Sequence, residues 1–307
     1  MAILCTIFKR LNIPLSEKKT EGPTTCLEYL GIILDTQTME ARLPIEKINR
    51  IQTFIQDILA KTSVTKRELL QLLGHFNFAA QVVRPGRAFT SYLIAVSTTV
   101  KQLHYHVRLS KQSKEDLRMW LHFLKQWNGV SVFYESKLTS NADFELYTDA
   151  ASTTGYGGYF QGRWFAEQWS DELQAWTNQP LSMAFRELYP IVVAALLWGT
   201  MWTGKRILFH CDNAAVVEII NKRRSSDLPI SSLVRTLCFC AATNNFDIYS
   251  CHVPGTNNVI ADSLSRFQFD RFRAAAPNAD NEPTEVPPIS SVIWNYSKSS
   301  PRCGTMQ

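Results

Sequence analysis

Four acidic residues in the second half of the sequence lie in four separate predicted elements. The first and third follow strand-like runs and the other two lie in helical runs: Asp149, Glu187, Asp212 and Asp262. Carboxylates that converge repel one another and need cations to remain ionised together. Oxygen-only ligands favour Mg²⁺, for which Mn²⁺ can substitute. Two such ions about 3.5 to 4 Å apart can hydrolyse a phosphodiester, so the pattern predicts a two-metal nuclease site.

The surrounding residues predict an α/β domain over 141–270 with the element order βββαβααβα. Five strands are expected, at 144–149, 155–160, 163–169, 206–211 and 246–252. In a mixed five-stranded sheet of this order, flanked by helices, the first and fourth strands are neighbours. Asp149 and Asp212 are therefore expected at adjacent strand ends, where α/β sheets place their ligand sites.

Two further features can assist phosphodiester chemistry. His252 stands at the start of the loop 254–258, and its imidazole titrates near neutral pH, so it can shuttle protons or help product release. The basic turn formed by Lys222, Arg223 and Arg224 can contact phosphates.

Each of these residues also has an ordinary structural explanation. Asp149 can start a turn, Asp212 can cap a helix, and Asp262 can pair with Arg266 on the surface. Glu187 can be a solvated helix residue, and His252 can be a hydrogen-bonded histidine at the end of a strand. The basic turn can be an ordinary solvated surface turn. The combination of four acids in this order is a much more specific indication of a metal site than any one acid alone.

The first half of the sequence predicts a smaller, mainly helical domain with a β-hairpin start. Residues 1–44 alternate between apolar runs and turns; 27–35 is the strongest strand candidate, and 1–8 is expected to be a strand rather than a signal peptide. Helical periodicity follows over 45–127, with Thr65 as a candidate N-cap. The proline-rich segment 271–307 is expected to be a flexible tail.

Composition narrows the function classes only modestly. The chain has 307 residues, 45% of them hydrophobic, and a net charge of +5, which predicts folded domains with a slight preference for a polyanionic partner. The longest apolar run, 191–202, is too short for a membrane span. The seven cysteines are odd in number and lack zinc-site spacing, which indicates a reducing intracellular compartment; nucleus and cytoplasm both fit.

Four motifs together resemble the ribonuclease H domain of retrotransposon reverse transcriptases, with DIRS-type elements as the preferred relatives. They are Tyr147-Thr-Asp-Ala150, Arg186-Glu-Leu188, His210-Cys-Asp-Asn213 and His252-Val-Pro-Gly-Thr-Asn-Asn-Val-Ile-Ala-Asp-Ser-Leu-Ser-Arg266. The resemblance implies that the four acids bind two Mg²⁺ ions and that the substrate is an RNA–DNA hybrid. It also implies that His252 is catalytic and that Asn213 and Asn258 contact nucleic acid.

The resemblance extends upstream with weaker patterns. Residues 1–44 are similar to the end of a polymerase palm with its primer-grip hairpin, and 45–140 are similar to the thumb and connection. The family's polymerase box, an aromatic residue followed by x-Asp-Asp, is absent from this sequence. The resemblance therefore implies a truncated reverse transcriptase without DNA synthesis of its own, which can pair with an intact reverse-transcriptase subunit.

Two other function classes fit parts of the sequence. A catalytically silent nucleic-acid-binding module derived from a retroelement would keep the motifs without the activity. A transposase or integrase-like nuclease would share the fold, but such enzymes typically place the glutamate last, whereas Glu187 lies between Asp149 and Asp212.

Overall fold

The computed structural model describes residues 2–16, 20–126, 130–132, 138–140, 143–177, 180–211, 213–252 and 258–294.

The N-terminal region contains a helix and a small antiparallel sheet. Helix α1 (Ala2–Arg10) is followed by strands β1 (Cys26–Tyr29), β2 (Ile32–Asp35) and β3 (Glu40–Arg42). Strands β1 and β2 form a hairpin around Leu30 and Gly31, which both have positive φ angles.

The expectation of a strand over residues 1–8 is wrong, because residues 2–8 lie in α1. Its apolar side chains at positions 3, 4 and 7 recur with the helical period, and Lys9 and Arg10 fall in the last turn, where cations stabilise a helix. None of the α1 residues is buried. The run 27–35, expected as a strand, is two strands joined by the hairpin turn.

The middle region is helical, as predicted. It contains α2 (Ile45–Ala60), β4 (Val64–Thr65), α3 (Lys66–Ala79), a 3₁₀ helix (Arg84–Phe89), α4 (Ser91–Thr98), β5 (His106–Val107) and α5 (Lys111–Gln126). Thr65 caps α3 in a full capping box: its hydroxyl accepts from the Glu68 N–H, and the Glu68 carboxylate accepts from the Thr65 N–H. The first turn of α3 is therefore fixed by residues three apart in sequence.

The C-terminal region is mixed α/β, which confirms the predicted class. After β6 (Val130–Val132) and β7 (Thr139–Ser140) come the strands β8 (Leu146–Ala150), β9 (Gly155–Phe160) and β10 (Arg163–Gln168). Two helices, a strand, two helices and a strand follow: α6 (Asp171–Thr177), α7 (Met183–Trp198), β11 (Arg206–Cys211), α8 (Ala214–Lys222), α9 (Leu228–Thr243) and β12 (Asp247–His252). The last helices are α10 (Val259–Ser265), α11 (Phe269–Ala275) and α12 (Ile289–Val292).

The strands form separate sheets. The first has the order β1-β2-β3-β6, and β4 pairs with β5. Strands β10, β9 and β8 form an antiparallel sheet, whereas β11 lies parallel to both β12 and β7. Within the described residues, the hydrogen-bonded neighbours of β11 are β12 and β7, and a turn at 143–145 separates β7 from β8. The single five-stranded sheet therefore stays a prediction.

One apolar core runs through the helical and the α/β regions. Helix α9 lies between them and contacts α7 as well as the 3₁₀ helix. Arg235 of α9 is 1% exposed and donates Nη2 to Asp116 Oδ2 of α5 over 3.1 Å, and Nε to the Ala88 carbonyl over 3.2 Å. A buried ion pair and shared apolar contacts thus join the two regions.

The expectation of a flexible tail is wrong for residues 271–294. Trp164 Nε1 donates to the Asp280 carbonyl over 2.7 Å, Val292 is fully buried, and the Trp294 ring packs against Phe89 and Phe239. A few apolar anchors are sufficient to order a polar, proline-rich segment. Residues 295–307 lie outside the described residues. No helix in the described part of the chain is both long enough and apolar enough to cross a membrane.

We predict that Glu68→Gln lowers stability more at neutral pH than in acid. A hydrogen bond from Lys61, followed by those from Thr65, lowers the pKa of Glu68 to about 2. The contribution of the carboxylate is therefore complete above its ordinary pKa of 4.5 and is lost as pH falls from there towards 2. Urea unfolding should show a loss of about 1 kcal/mol at pH 7 that shrinks by pH 2.5. Glu46→Gln, in the first turn of α2, is the matched control; an equal deficit for Glu68→Gln at both pH values would contradict the prediction.

We also predict that Asp116→Asn destabilises the whole chain by about 3 to 5 kcal/mol, because it removes the carboxylate charge that faces the buried Arg235 guanidinium. Replacing both partners with apolar residues, Asp116→Leu with Arg235→Met, should cost far less than the two single changes together. Glu115→Gln removes the carboxylate from an exposed pair with Arg118 in the same helix and should cost under about 1 kcal/mol. Similar losses for Asp116→Asn and Glu115→Gln in urea unfolding would refute the prediction.

Candidate active site

Three of the four predicted acids lie on elements that meet at β8. Asp149 is in β8, Glu187 is in the second turn of α7, and Asp262 is in α10; both helices pack against β8. All three side chains are partly exposed. Asp212 lies outside the described residues, directly after β11. Two acid-bearing helices, both later in the sequence than β8, thus pack against this strand.

The two faces of β8 have different roles. Leu146 and Ala150 belong to the large apolar core that contains α7, whereas Tyr147 packs in a smaller cluster with Leu264 of α10. Because side chains alternate along a strand, Asp149 shares the α10 face with Tyr147. Glu187 lies on the helix that covers the other face.

Ser265 connects the first and the last acid. Its hydroxyl oxygen lies 2.6 Å from Asp149 Oδ2 and 3.1 Å from the Asp262 carbonyl oxygen, and the residue is fully buried. Sequence reasoning missed this role, although the position of Ser265 three residues after Asp262 places both on neighbouring turns of one helix. The hydroxyl fixes α10 against the end of β8.

Gly157 allows α10 to approach the sheet closely. It is the register partner of Asp149 on β9. A Cβ atom at Gly157 would lie 2.5 Å from the Leu264 Cβ and 3.1 Å from the Ser265 backbone nitrogen, which is closer than such atoms pack. The missing side chain is therefore a condition for the contact between Ser265 and Asp149.

Asp262 is paired with two arginines. Arg266 Nε lies 2.7 Å from Oδ1, and Arg271 Nη1 of α11 lies 2.6 Å from Oδ2. Burial acts to raise the pKa of Asp262, but the hydrogen bonds from both guanidinium groups outweigh it and hold the pKa below its ordinary value. The carboxylate is therefore ionised and neutralised by neighbouring cations.

The predicted histidine loop is only partly described. His252 is the last residue of β12, is exposed, and is the register partner of Cys211, next to Asp212 in sequence. Asn258 Nδ2 donates to the Thr148 carbonyl over 3.0 Å, and its Oδ1 is buried without a hydrogen-bond partner in the described part of the chain. Both ends of the loop are thus placed at the strand ends that carry the acids.

The residues predicted to contact nucleic acid divide into two groups. Asn213 accepts from the N–H groups of Ala215 and Val216 and caps α8, so its side-chain oxygen has a structural role. Arg223 pairs with the buried Asp247, which also binds Arg84. Lys222 and Arg224 are exposed, although Lys222 pairs with Glu218 one turn earlier.

The chemistry of the donor set fits hard divalent cations. The described donors of the set are three carboxylates, and oxygen ligands suit Mg²⁺ and Mn²⁺. Among the described residues, no group of three or more acidic, histidine or cysteine side chains is gathered closely enough to hold a metal ion. The set that the sequence predicts includes Asp212, which is not among them.

Comparisons with known proteins do not name a family. No protein-family model matches the chain, and no curated protein sequence matches it significantly. The resemblance to ribonuclease H domains therefore stays an expectation from the motifs.

We predict that Gly157→Ala destabilises the chain, because the new methyl group forces α10 away from β9. Unfolding in urea should show a loss of about 1 to 3 kcal/mol, the usual cost of overpacking. Gly74→Ala is the matched control, since a Cβ at this position in α3 meets nothing within 4 Å and should stabilise the helix by about 0.5 to 1 kcal/mol. Changes of the same sign and size in the two variants would show that the approach of α10 is not tight.

Proposed function

We propose that the chain is a ribonuclease H that cleaves the RNA strand of RNA–DNA hybrids endonucleolytically. One observation carries the proposal: the Ser265 hydroxyl joins Asp149 of β8 to the helix turn that bears Asp262. Asp149 and Asp262, the first and last acids of the Asp-Glu-Asp-Asp series, are 113 residues apart by their numbers, yet one lies on β8 and the other on the helix that packs against β8. The motif resemblance and the oxygen-only donors support the same function.

In this proposal Asp149, Glu187, Asp212 and Asp262 hold two Mg²⁺ ions. When bound, the ions supply activation of water and stabilisation of the leaving 3′-oxygen. Residues of the protein hold these acids in position. Ser265 fixes the Asp149 carboxylate, and Asn258 joins the start of α10 to the β8 backbone at Thr148. His252 is exposed at the end of β12, where its imidazole can act as a general acid or base.

Recognition of the hybrid would depend on its backbone rather than on its bases. Groove shape and 2′-hydroxyl groups distinguish hybrids, and basic side chains contribute salt-dependent phosphate contacts. Arg224 and Lys222 are the exposed members of the basic turn, whereas Arg223 is engaged by Asp247. We therefore assign the proposed phosphate contacts chiefly to Lys222 and Arg224.

An intact reverse-transcriptase subunit is a proposed partner of this chain. Helix α1 has no buried residue, and its Ile3, Leu4 and Ile7 side chains are exposed. Exposed apolar side chains on one helix are typical of a surface that contacts another protein segment. Because residues 1–44 resemble the end of a polymerase palm, we propose that the segment in contact with α1 belongs to a polymerase subunit.

A catalytically silent nucleic-acid-binding module is the second candidate. The pairing of Asp262 with Arg266 and Arg271 favours it, because cations of the protein already neutralise this carboxylate. The two candidates differ in whether divalent ions bind at Asp262. The nuclease requires them there, in place of the arginines or beside them, and the silent module does not.

We predict Mg²⁺-dependent cleavage of a labelled RNA–DNA hybrid by the full chain. Asp149→Asn should reduce cleavage by more than the roughly 10- to 100-fold that loss of an outer partner of a metal ligand costs. Asp270→Asn, an exposed acid of α11, removes the same charge and should leave cleavage unchanged. The full chain is the proper subject, because a fragment from 135 to 270 would lose the Asp116–Arg235 pair.

Two outcomes would contradict the proposed nuclease. Hybrid binding without cleavage by the folded chain would favour the silent module. Cleavage of duplex DNA with no activity on hybrids would favour a transposase-like nuclease.

A further inference from the structure

Arg271 approaches the candidate site from outside the motif that contains Asp262. It lies on α11, and its Nη1 is 2.6 Å from Asp262 Oδ2 and 3.0 Å from Gln268 Oε1. Arg266 binds the other carboxylate oxygen, so both oxygens of Asp262 accept from a guanidinium. Two positive charges thus lie at a carboxylate to which the proposed function assigns a metal ion.

Helix α11 holds Arg271 in this place. Its Phe272 is fully buried and packs against Tyr159 and Trp164 of the β9–β10 pair. Arg273 donates to the carbonyl oxygens of Ala279 and Asn281, which fixes the chain after the helix. The guanidinium of Arg271 therefore starts from an anchored backbone, while 45% of its side chain remains exposed to solvent.

A divalent cation and these guanidinium groups compete for the same negative charge. Each carboxylate oxygen has a second lone pair, so geometry alone does not prevent both from binding. Like charges a few ångströms apart repel, however, and a cation gains affinity when a neighbouring positive charge leaves. Arg271 lies on the separate helix α11 and is 45% exposed, so it can leave Asp262 for solvent, whereas Arg266 lies one helical turn from Asp262 in the same segment.

We propose that Arg271 is a positioning residue that competes with divalent cations for Asp262 and so sets the Mg²⁺ concentration at which the site is loaded. Without metal, Arg266 and Arg271 stabilise the ionised carboxylate and keep it oriented. When a cation binds, Arg271 turns into the solvent that already surrounds nearly half of its side chain. The inference rests on the proposed function, because it requires Asp262 to be a metal ligand.

Titration calorimetry of the full chain with Mg²⁺, and with Mn²⁺, tests the inference. Arg271→Ala should bind either ion about two- to fivefold more tightly, the factor that one exposed ion pair provides. Arg271→Lys, which retains a cation, should restore affinity towards that of the unaltered chain. Arg118→Ala removes an arginine from an exposed carboxylate pair in α5 that is 2.7 Å long, against 2.6 Å for Arg271 and Asp262, and should not change the affinity. In hybrid cleavage, Arg271→Ala should lower the half-saturating Mg²⁺ concentration without changing the maximal rate.

The outcomes separate the inference from the function on which it rests. Equal or weaker metal binding by Arg271→Ala, together with binding by the unaltered chain that Asp149→Asn abolishes, would overturn the role of Arg271 and leave the nuclease standing. Absence of divalent-ion binding by the unaltered chain, with and without hybrid, would overturn the proposed function and the inference with it.

Discussion

The close approach of α10 to the β8–β9 pair is the constraint on which the site depends. Asp149 and Gly157 are register partners, so the face that presents the carboxylate is also the face from which a side chain is missing. Leu264 fills that space, and Ser265 then reaches Asp149. The position of Asp262 is a consequence, because it lies one helical turn from Ser265.

The site also depends on a core that extends beyond the α/β region. Helix α7, which carries Glu187, packs against α9, and α9 is joined to α5 by the Arg235–Asp116 pair. A buried ion pair of this kind stabilises little by itself but strongly penalises arrangements that separate its partners. The register between the helical region and the α/β region is therefore specified, and the placement of α7 follows from it.

Local sequence patterns predicted most helices and strands, but they did not predict contacts between distant segments. The Thr65 capping box involves residues three apart in sequence, so the sequence was sufficient to predict it. The order of 271–294 depends on Trp294, which packs against Phe89 and Phe239 from distant segments. The role of Arg223 likewise depends on Asp247, a contact that a run of basic residues does not indicate. Motif spacing singled out Asp149 and Asp262, whereas the contacts of Ser265 and Arg271 with them are tertiary and have no local pattern.

Electrostatic repulsion between acids was the physical reason to expect cations, and the structure shows how the protein can supply them itself. Arg266 and Arg271 neutralise Asp262, so this carboxylate does not need a divalent cation to remain ionised. Such internal cations lower the affinity for metal ions by the amount that they stabilise the empty site. A site built in this way gains stability without metal at the cost of weaker metal binding. Asp262 is therefore compatible with both proposed functions. A nuclease would bind Mg²⁺ there at high concentration, a silent module would not bind it, and the affinity for the ion distinguishes the two.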